Sequence, residues 1–151
     1  MALENVKQYM TFSLEEIYGI ELKKIKEIIR YQELTIVPET PEFILGVLSL
    51  RGTAVPIICL RTLFRLEKKE INEYSVIIVM EVSGRLIGLL VDSVSDMISI
   101  DDSEIREPLK FSKKSGRKFV DGMVEKDNKF IMVFAVDKLF SNNEIDMIDG
   151  I

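Results

Sequence analysis

The 151-residue chain has no histidine and a single cysteine, Cys59. Lack of histidine removes the commonest general base and the commonest metal ligand at neutral pH, which counts against most hydrolase mechanisms. One thiol closes no internal disulfide and cannot build a thiolate zinc site, so the chain suits a reducing compartment. No Gly-x-Ser-x-Gly elbow occurs and no glycine-rich phosphate loop follows a strand. The sequence therefore reads as non-enzymatic, with Cys59 a buried structural thiol. Long apolar runs are missing too: the stretch from Val76 to Met80 stops at Glu81, and no run approaches a membrane span. No basic segment followed by an apolar one opens the chain, and nothing reads as a linker or low-complexity tract. The expectation is a soluble cytoplasmic protein without direct membrane insertion.

The charge balance is acidic, with a net charge of −5, which gives no general attraction for phosphate backbones or anionic lipid. Lys110, Lys113, Lys114, Arg117 and Lys118 gather beside Phe111 and Phe119, the kind of cluster with which small barrels hold single strands. The interleaved Ser112, Ser115 and Gly116 read instead as a loop, so a nucleic-acid-binding barrel is the lesser alternative and nucleic acid is not expected as a partner. Asp92, Asp96, Asp101, Asp102 and Glu104 lack the alternating spacing of a calcium loop. They read as solvated carboxylates and helix caps, and neither a metal nor a cofactor is expected.

With 47% hydrophobic residues, a chain of this length buries roughly 70% of the surface its unfolded form exposes, enough for one compact domain over residues 1–151. Val6, Met10, Phe12 and Leu14 alternate with Lys7, Tyr9, Thr11 and Ser13, the period of a strand with one wet face. Leu22, Ile25 and Ile29 recur at helical spacing among Lys23, Lys24 and Lys26, which predicts a short amphipathic helix. Further strands are expected over residues 46–50, 54–59, 74–82, 85–92, 119–124 and 130–136, with Ser83-Gly84 and Asp127-Asn128 as turns. Pro56 cannot donate to a ladder and predicts an edge or a bulge. Ser141 and Glu144 fit the capping box of a short last helix.

The chain repeats itself. Residues 46–64, "GVLSLRGTAVPIICLRTLF", align without a gap on residues 122–140, and Leu63-Phe64 returns as Leu139-Phe140. A second echo pairs Gly19, Leu22, Ile25 and Ile28 with Gly88, Val91, Val94 and Met97. Two echoes in the same order imply two similar half-barrels, each too small to bury its faces well alone. At the hairpin tip the second copy has the ordinary polar Glu125-Lys126-Asp127-Asn128, and the first has Ser49-Leu50-Arg51-Gly52. Since the scaffold tolerates a polar tip, Leu50 and Arg51 point to an interface, unless the leucine tucks back onto its own barrel.

These segments, "QYMTFSL", "YGIELKKIKEI", "VPETPEFILGVLSLRG", "VPIICLRTLF", "RLIGLLVDSVSDMISI" and the closing "DKLF", resemble the CheW family over nearly the whole chain. The resemblance implies two SH3-like five-stranded β-barrels packed together, with short helices, divided at roughly 14–70 and 71–140 with room for the N-terminal strand to join the second. It implies an adaptor coupling chemoreceptors to the histidine kinase CheA and recruited to membrane receptor clusters; the regulatory domain of CheA or the coupling domain of CheV is the alternative within the same fold. By residue matching, Ile25, Glu27, Leu50, Arg51 and Gly52 fall in the partner-binding area, and Gly46, Gly88, Val94 and Met97 around the receptor-facing groove. Family members usually carry asparagine at Ser49, aspartate at Cys59 and often glycine at Arg65. The cysteine withdraws a charge from the neighbourhood of Arg61 and, with it, the expected local ion pair.

Overall fold

The structure, a computed structural model, describes residues 5–107 and 119–139. Its strands are β1 (Val6–Ser13), β2 (Ile17–Glu21), β3 (Ile25–Arg30), β4 (Ile44–Leu50), β5 (Thr53–Cys59), β6 (Val76–Val82), β7 (Arg85–Val91), β8 (Ser93–Asp101), β9 (Val120–Lys126) and β10 (Lys129–Phe134). One four-residue helix, α1 (Leu60–Leu63), and 3-10 turns at Leu22–Lys24, Asp102–Glu104 and Val136–Leu139 join them. The strands form two five-stranded sheets, in the orders β8-β1-β2-β10-β9 and β3-β6-β7-β5-β4. In each, the segment after one end strand bonds to the other end strand, Thr35 to Val47 in one sheet and Arg106 to Met123 in the other. The segment beyond one end strand thus borders the other end strand at a single bridge, which covers part of an otherwise open edge.

Both echoes in the sequence are repeats in space. β4 and β5 correspond to β9 and β10, and α1 to the turn Val136–Leu139. The hydrogen bonds repeat as well: Cys59 N donates to Phe43 O at 2.7 Å, and Ala135 N to Phe119 O at 2.6 Å. The second echo lays β2 on β7, and each makes a parallel pairing through its glycine, Gly19 with Val133 and Gly88 with Ile57. The repeat thus runs as β1–β5 followed by β6–β10, whereas the sheets comprise β3–β7 and the rest. The two halves have exchanged their first hairpins, so sheet membership cuts across any division of the chain near residue 70.

The exchange places the largest apolar cluster between the sheets, with Phe12, Tyr18 and Ile20 from one facing Ile58, Ile78, Met80 and Leu89 from the other. Two smaller clusters fill the sheets themselves: Leu48, Val55, Ile57, Ile77, Val79 and Leu90 in one, and Tyr9, Ile100, Val124 and Val133 in the other. Alternate residues of β6 therefore serve different cores. Phe64, just past α1, reaches across: its ring lies 5.4 Å from Tyr18, 5.5 Å from Phe119 and 6.0 Å from Phe134, centroid to centroid.

Several expectations change. Tyr9 and Thr11 do not form a wet face; they are 5% and 4% exposed, because β1 lies inside its sheet with one side toward the small cluster and the other toward the inter-sheet core. The helix expected from Leu22 to Ile29 is a 3-10 turn followed by β3. A bulge between Ile25 and Glu27 adds a residue to the strand, and this imitates a helical period by sending Ile25 and Ile28 to the inter-sheet core and Ile29 to the other. Pro56 sits on an interior strand and not at an edge, but beside the bulge that the β4–β5 pairing makes between Ile44 and Gly46, opposite Ile57 and Ile58. Its partner Val47 points both backbone groups at Thr35, so Pro56 also faces away from β4, on the flank where the β7 ladder begins only at Ile57. No donor is needed there. The capping box at Ser141 and Glu144 lies outside the described residues, as do the basic residues from Lys110 to Lys118. Phe119 is 1% exposed, a core ring and not a stacking surface for bases.

Three outcomes follow from this packing. Phe64→Ala removes a ring shared by both sheets and is expected to cost about 3–5 kcal/mol in denaturant unfolding. Arg65 closes α1 in the left-handed conformation, with φ 60, while Arg65 N donates to Thr62 O and Leu66 N to Arg61 O. This is the cap that glycine makes without strain, so Arg65→Gly should raise stability by about 0.5–1 kcal/mol in the same measurement. Asp101 and Glu104 cap the turn between them, and backbone hydrogen bonds hold both carboxyls below their ordinary range. Because the folded values are depressed, their contribution is complete above the unfolded values, 3.8 and 4.5, and is lost as pH falls through the folded ones. Asp101→Asn with Glu104→Gln should flatten the acid limb of a pH series of thermal melts.

Candidate functional site

Arg51 and Gly52 form the two-residue turn between β4 and β5, with φ values of 49 and 83. A primed turn needs positive φ at both positions, which suits its twist to the strands. Glycine adopts this freely, and a Cβ at Gly52 would meet nothing within 4 Å. The turn aims Arg51 at β3: its Nη2 donates to Glu27 Oε1 at 2.6 Å, with the arginine side chain 72% exposed and the glutamate 31%. β3 and β4 are the end strands of their sheet, so this ion pair lies across the line where the sheet closes. Beside it runs a groove of ≈ 580 Å³ lined by Lys26, Leu50, Ala54, Arg85 and Leu86, with Lys26 paired to Glu81 at 3.2 Å. Leu50 is half-buried and packs on the Leu48–Val55–Ile57 cluster. The leucine therefore does tuck back, yet still lines the groove.

A second surface lies at the mouth of the crevice between the sheets. Ile25 and Ile28 of β3, Met10 of β1 and Val94 of β8 are half-buried against the inter-sheet core. Met97 stands directly across the ladder from Met10 and is 62% exposed. A bulge in the β1–β8 pairing sets this arrangement, since Met10 pairs with Met97 but Phe12 with Val94. Thr11 fills the bulge: Asp96 N donates to its hydroxyl at 3.0 Å, and the hydroxyl donates to Asp96 O at 3.2 Å. Val94 and Met97 thus share a face with Met10, while Ile25 packs on the inter-sheet core from β3 and Glu27, beyond the β3 bulge, pairs with the tip.

Two residues expected around the groove are interior. A Cβ on Gly88 would collide with Ile57 Cδ1 and stand 2.7 Å from Ile77 Cγ2, and one on Gly46 would stand 2.6 Å from Thr35 O. Gly122 has the same closeness to Arg106 O, so the repeated glycine lets the closing segment approach the strand. A charge placed at Gly88 would test the fold before it tested any surface.

Arg61, 8% exposed, sits in a charge network whose partners no spacing in the sequence pointed to. Its Nε and Nη2 bind the two oxygens of Asp92 at 2.8–3.1 Å, and Nη1 donates to Glu15 Oε1 at 3.0 Å and Glu67 O at 2.6 Å. Hydrogen bonds donated to Asp92 outweigh the opposing effect of burial and, with those to Glu15, hold the guanidinium charged well beyond its ordinary range. The ion pair that Cys59 was expected to cost is supplied from β7's end and the β1–β2 loop. Cys59 itself is half-buried, not fully enclosed, and lines a cavity of ≈ 190 Å³ with Leu45, Ile71 and Leu90. The described residues contain no cluster of metal-ligating side chains.

Comparison with known proteins places this architecture. The family model described as the CheW-like domain matches residues 8–144. The chemotaxis protein CheW of Klebsiella aerogenes is 33% identical over 146 residues, covering 96% of this chain and 88% of that protein. That of Treponema pallidum is 27% identical over 146 residues, covering 93% and 86%. Among solved structures, the scaffolding protein TtCheW from Thermoanaerobacter tengcongensis superposes with a TM-score of 0.82 at 36% identity, over 91% of this chain and 90% of that one. With two exchanged five-stranded sheets and a match over most of its length, the chain belongs to the CheW-like family of chemotaxis adaptors.

Proposed function

We propose that the chain is a non-enzymatic adaptor that couples chemoreceptors to the histidine kinase CheA, working in the cytoplasm and recruited to receptor clusters at the membrane. The observation that carries this reading is the presence of two surfaces on separate elements, the Arg51–Glu27 tip with its groove and the crevice mouth around Val94 and Met97. An adaptor needs two contacts that do not exclude each other, and these two rest on different apolar clusters, Leu50 on that of Leu48, Val55 and Ile57 and Val94 on the inter-sheet core. No helix among the described residues is long and apolar enough to cross a membrane. The tip is suited to binding because an arginine that is already oriented loses less freedom when it engages a carboxylate or carbonyl.

Arg51→Glu reverses the charge at the tip and faces Glu27 across the turn. An exposed ion pair contributes about 0–1 kcal/mol, so melting should change little; the equivalent position already carries an acid, Asp127. Loss of a hot-spot arginine costs about 2 kcal/mol or more, about thirtyfold in Kd. Titration against purified CheA and a receptor cytoplasmic fragment should therefore show that weakening for at least one partner, with Glu27→Ala following the same pattern. Unchanged affinity for both would remove the tip from the interface, and a collapsed melting temperature would make Arg51 a fold residue.

A further inference from the structure

We propose that Met97 is an oxidation site through which peroxide weakens the crevice surface, an inference that rests on the reading of that surface as a partner contact. The methionines of the described residues differ sharply in access: Met80 and Met123 are 1% and 4% exposed, Met10 and Met132 are half-buried against the core, and Met97 is 62% exposed. Met97 is also placed where its chemistry matters. Directly cross-strand residues share a face, so Met97 extends the apolar strip that Met10 and Val94 begin. A thioether suits such a rim because it is unbranched, polarizable and adapts to the partner.

The reaction needs only the oxidant. A sulfur lone pair attacks one oxygen of hydrogen peroxide, an S–O bond forms as the O–O bond breaks, and the departing hydroxide takes up the proton left on the transferred oxygen and leaves as water. Sulfur gives up two electrons and the peroxide accepts them. The sulfoxide is polar and chiral, and it returns to the thioether by methionine sulfoxide reduction. Burial of that dipole against a partner leaves an acceptor to be satisfied where the thioether required nothing. Cys59 is less well placed for the same duty, being half-buried on β5 with no second thiol in the chain to resolve a sulfenic acid.

The test treats the full chain with graded hydrogen peroxide, follows oxygen uptake by peptide mass, and measures binding to a purified chemoreceptor cytoplasmic fragment. Met97 should gain one oxygen before Met80 and Met123, with binding about five- to tenfold weaker and the melting temperature unchanged. Met97→Leu should keep its affinity through the same treatment, and Met97→Gln should reproduce the oxidised protein without oxidant. Oxidation of Met97 no faster than that of the two buried methionines, or equal binding before and after it, overturns the proposal. If the untreated protein does not bind the fragment, the receptor reading fails and the switch fails with it, a result visible before any oxidant is added.

Discussion

The exchange of hairpins between the two halves is the constraint on which the rest of the molecule depends. Each sheet takes strands from both halves of the chain, so the halves cannot part without unpairing a ladder within each of the two sheets. The space between them consequently fills as a core and not as a domain interface, with the aromatic set around Phe64 at its centre. Arg61 secures the same junction in charge, joining α1 to the end of β7 through Asp92 and to the β1–β2 loop through Glu15. Its burial is tolerated because each of its nitrogens has a defined acceptor, the condition under which an interior charge persists.

That rigidity gives the two surfaces their character. The tip is built from a turn whose backbone needs are met by two left-handed residues, leaving the arginine side chain free for orientation by Glu27. The bulge in the β1–β8 pairing brings Met97 opposite Met10 and Val94 opposite Phe12 at the crevice mouth, and the bulge in β3 sends Ile25 and Ile28 to the inter-sheet core. Bulges commonly re-aim side chains beside functional sites. Here they separate Ile25 from Glu27 although the two are neighbours in sequence.

Much of this was legible from the residues. The 76-residue repeat located both hairpins and both turns, because paired glycines and two-residue tips leave a mark that survives divergence. What it could not reveal was the exchange, since strand order depends on which hairpin finds which partner and no local pattern encodes that choice. The bulge hid β3 behind a helical period, and β1 looked one-sided because Tyr9 and Thr11 carry polar atoms while lying inside. Gly46 and Gly88 matched positions around a family groove but serve close packing here. The carboxylate partners of Arg61 stand 46 and 31 residues away in sequence, beyond the reach of any spacing rule.

The strand order also sets a timetable for synthesis. β3 to β7 form one contiguous run, Ile25 to Val91, and can assemble as soon as it leaves the ribosome. β1 and β2 emerge first and pair with each other, and β1 finds β8, ending at Asp101, but β2 lacks its second mate until β10, ending at Phe134, has been made. At 5–20 residues per second that interval is roughly ten seconds. Through it the first hairpin waits with its sheet incomplete, and the shelter open to Phe12, Tyr18 and Ile20 is the finished sheet of β3 to β7, through Ile58, Ile78, Met80 and Leu89.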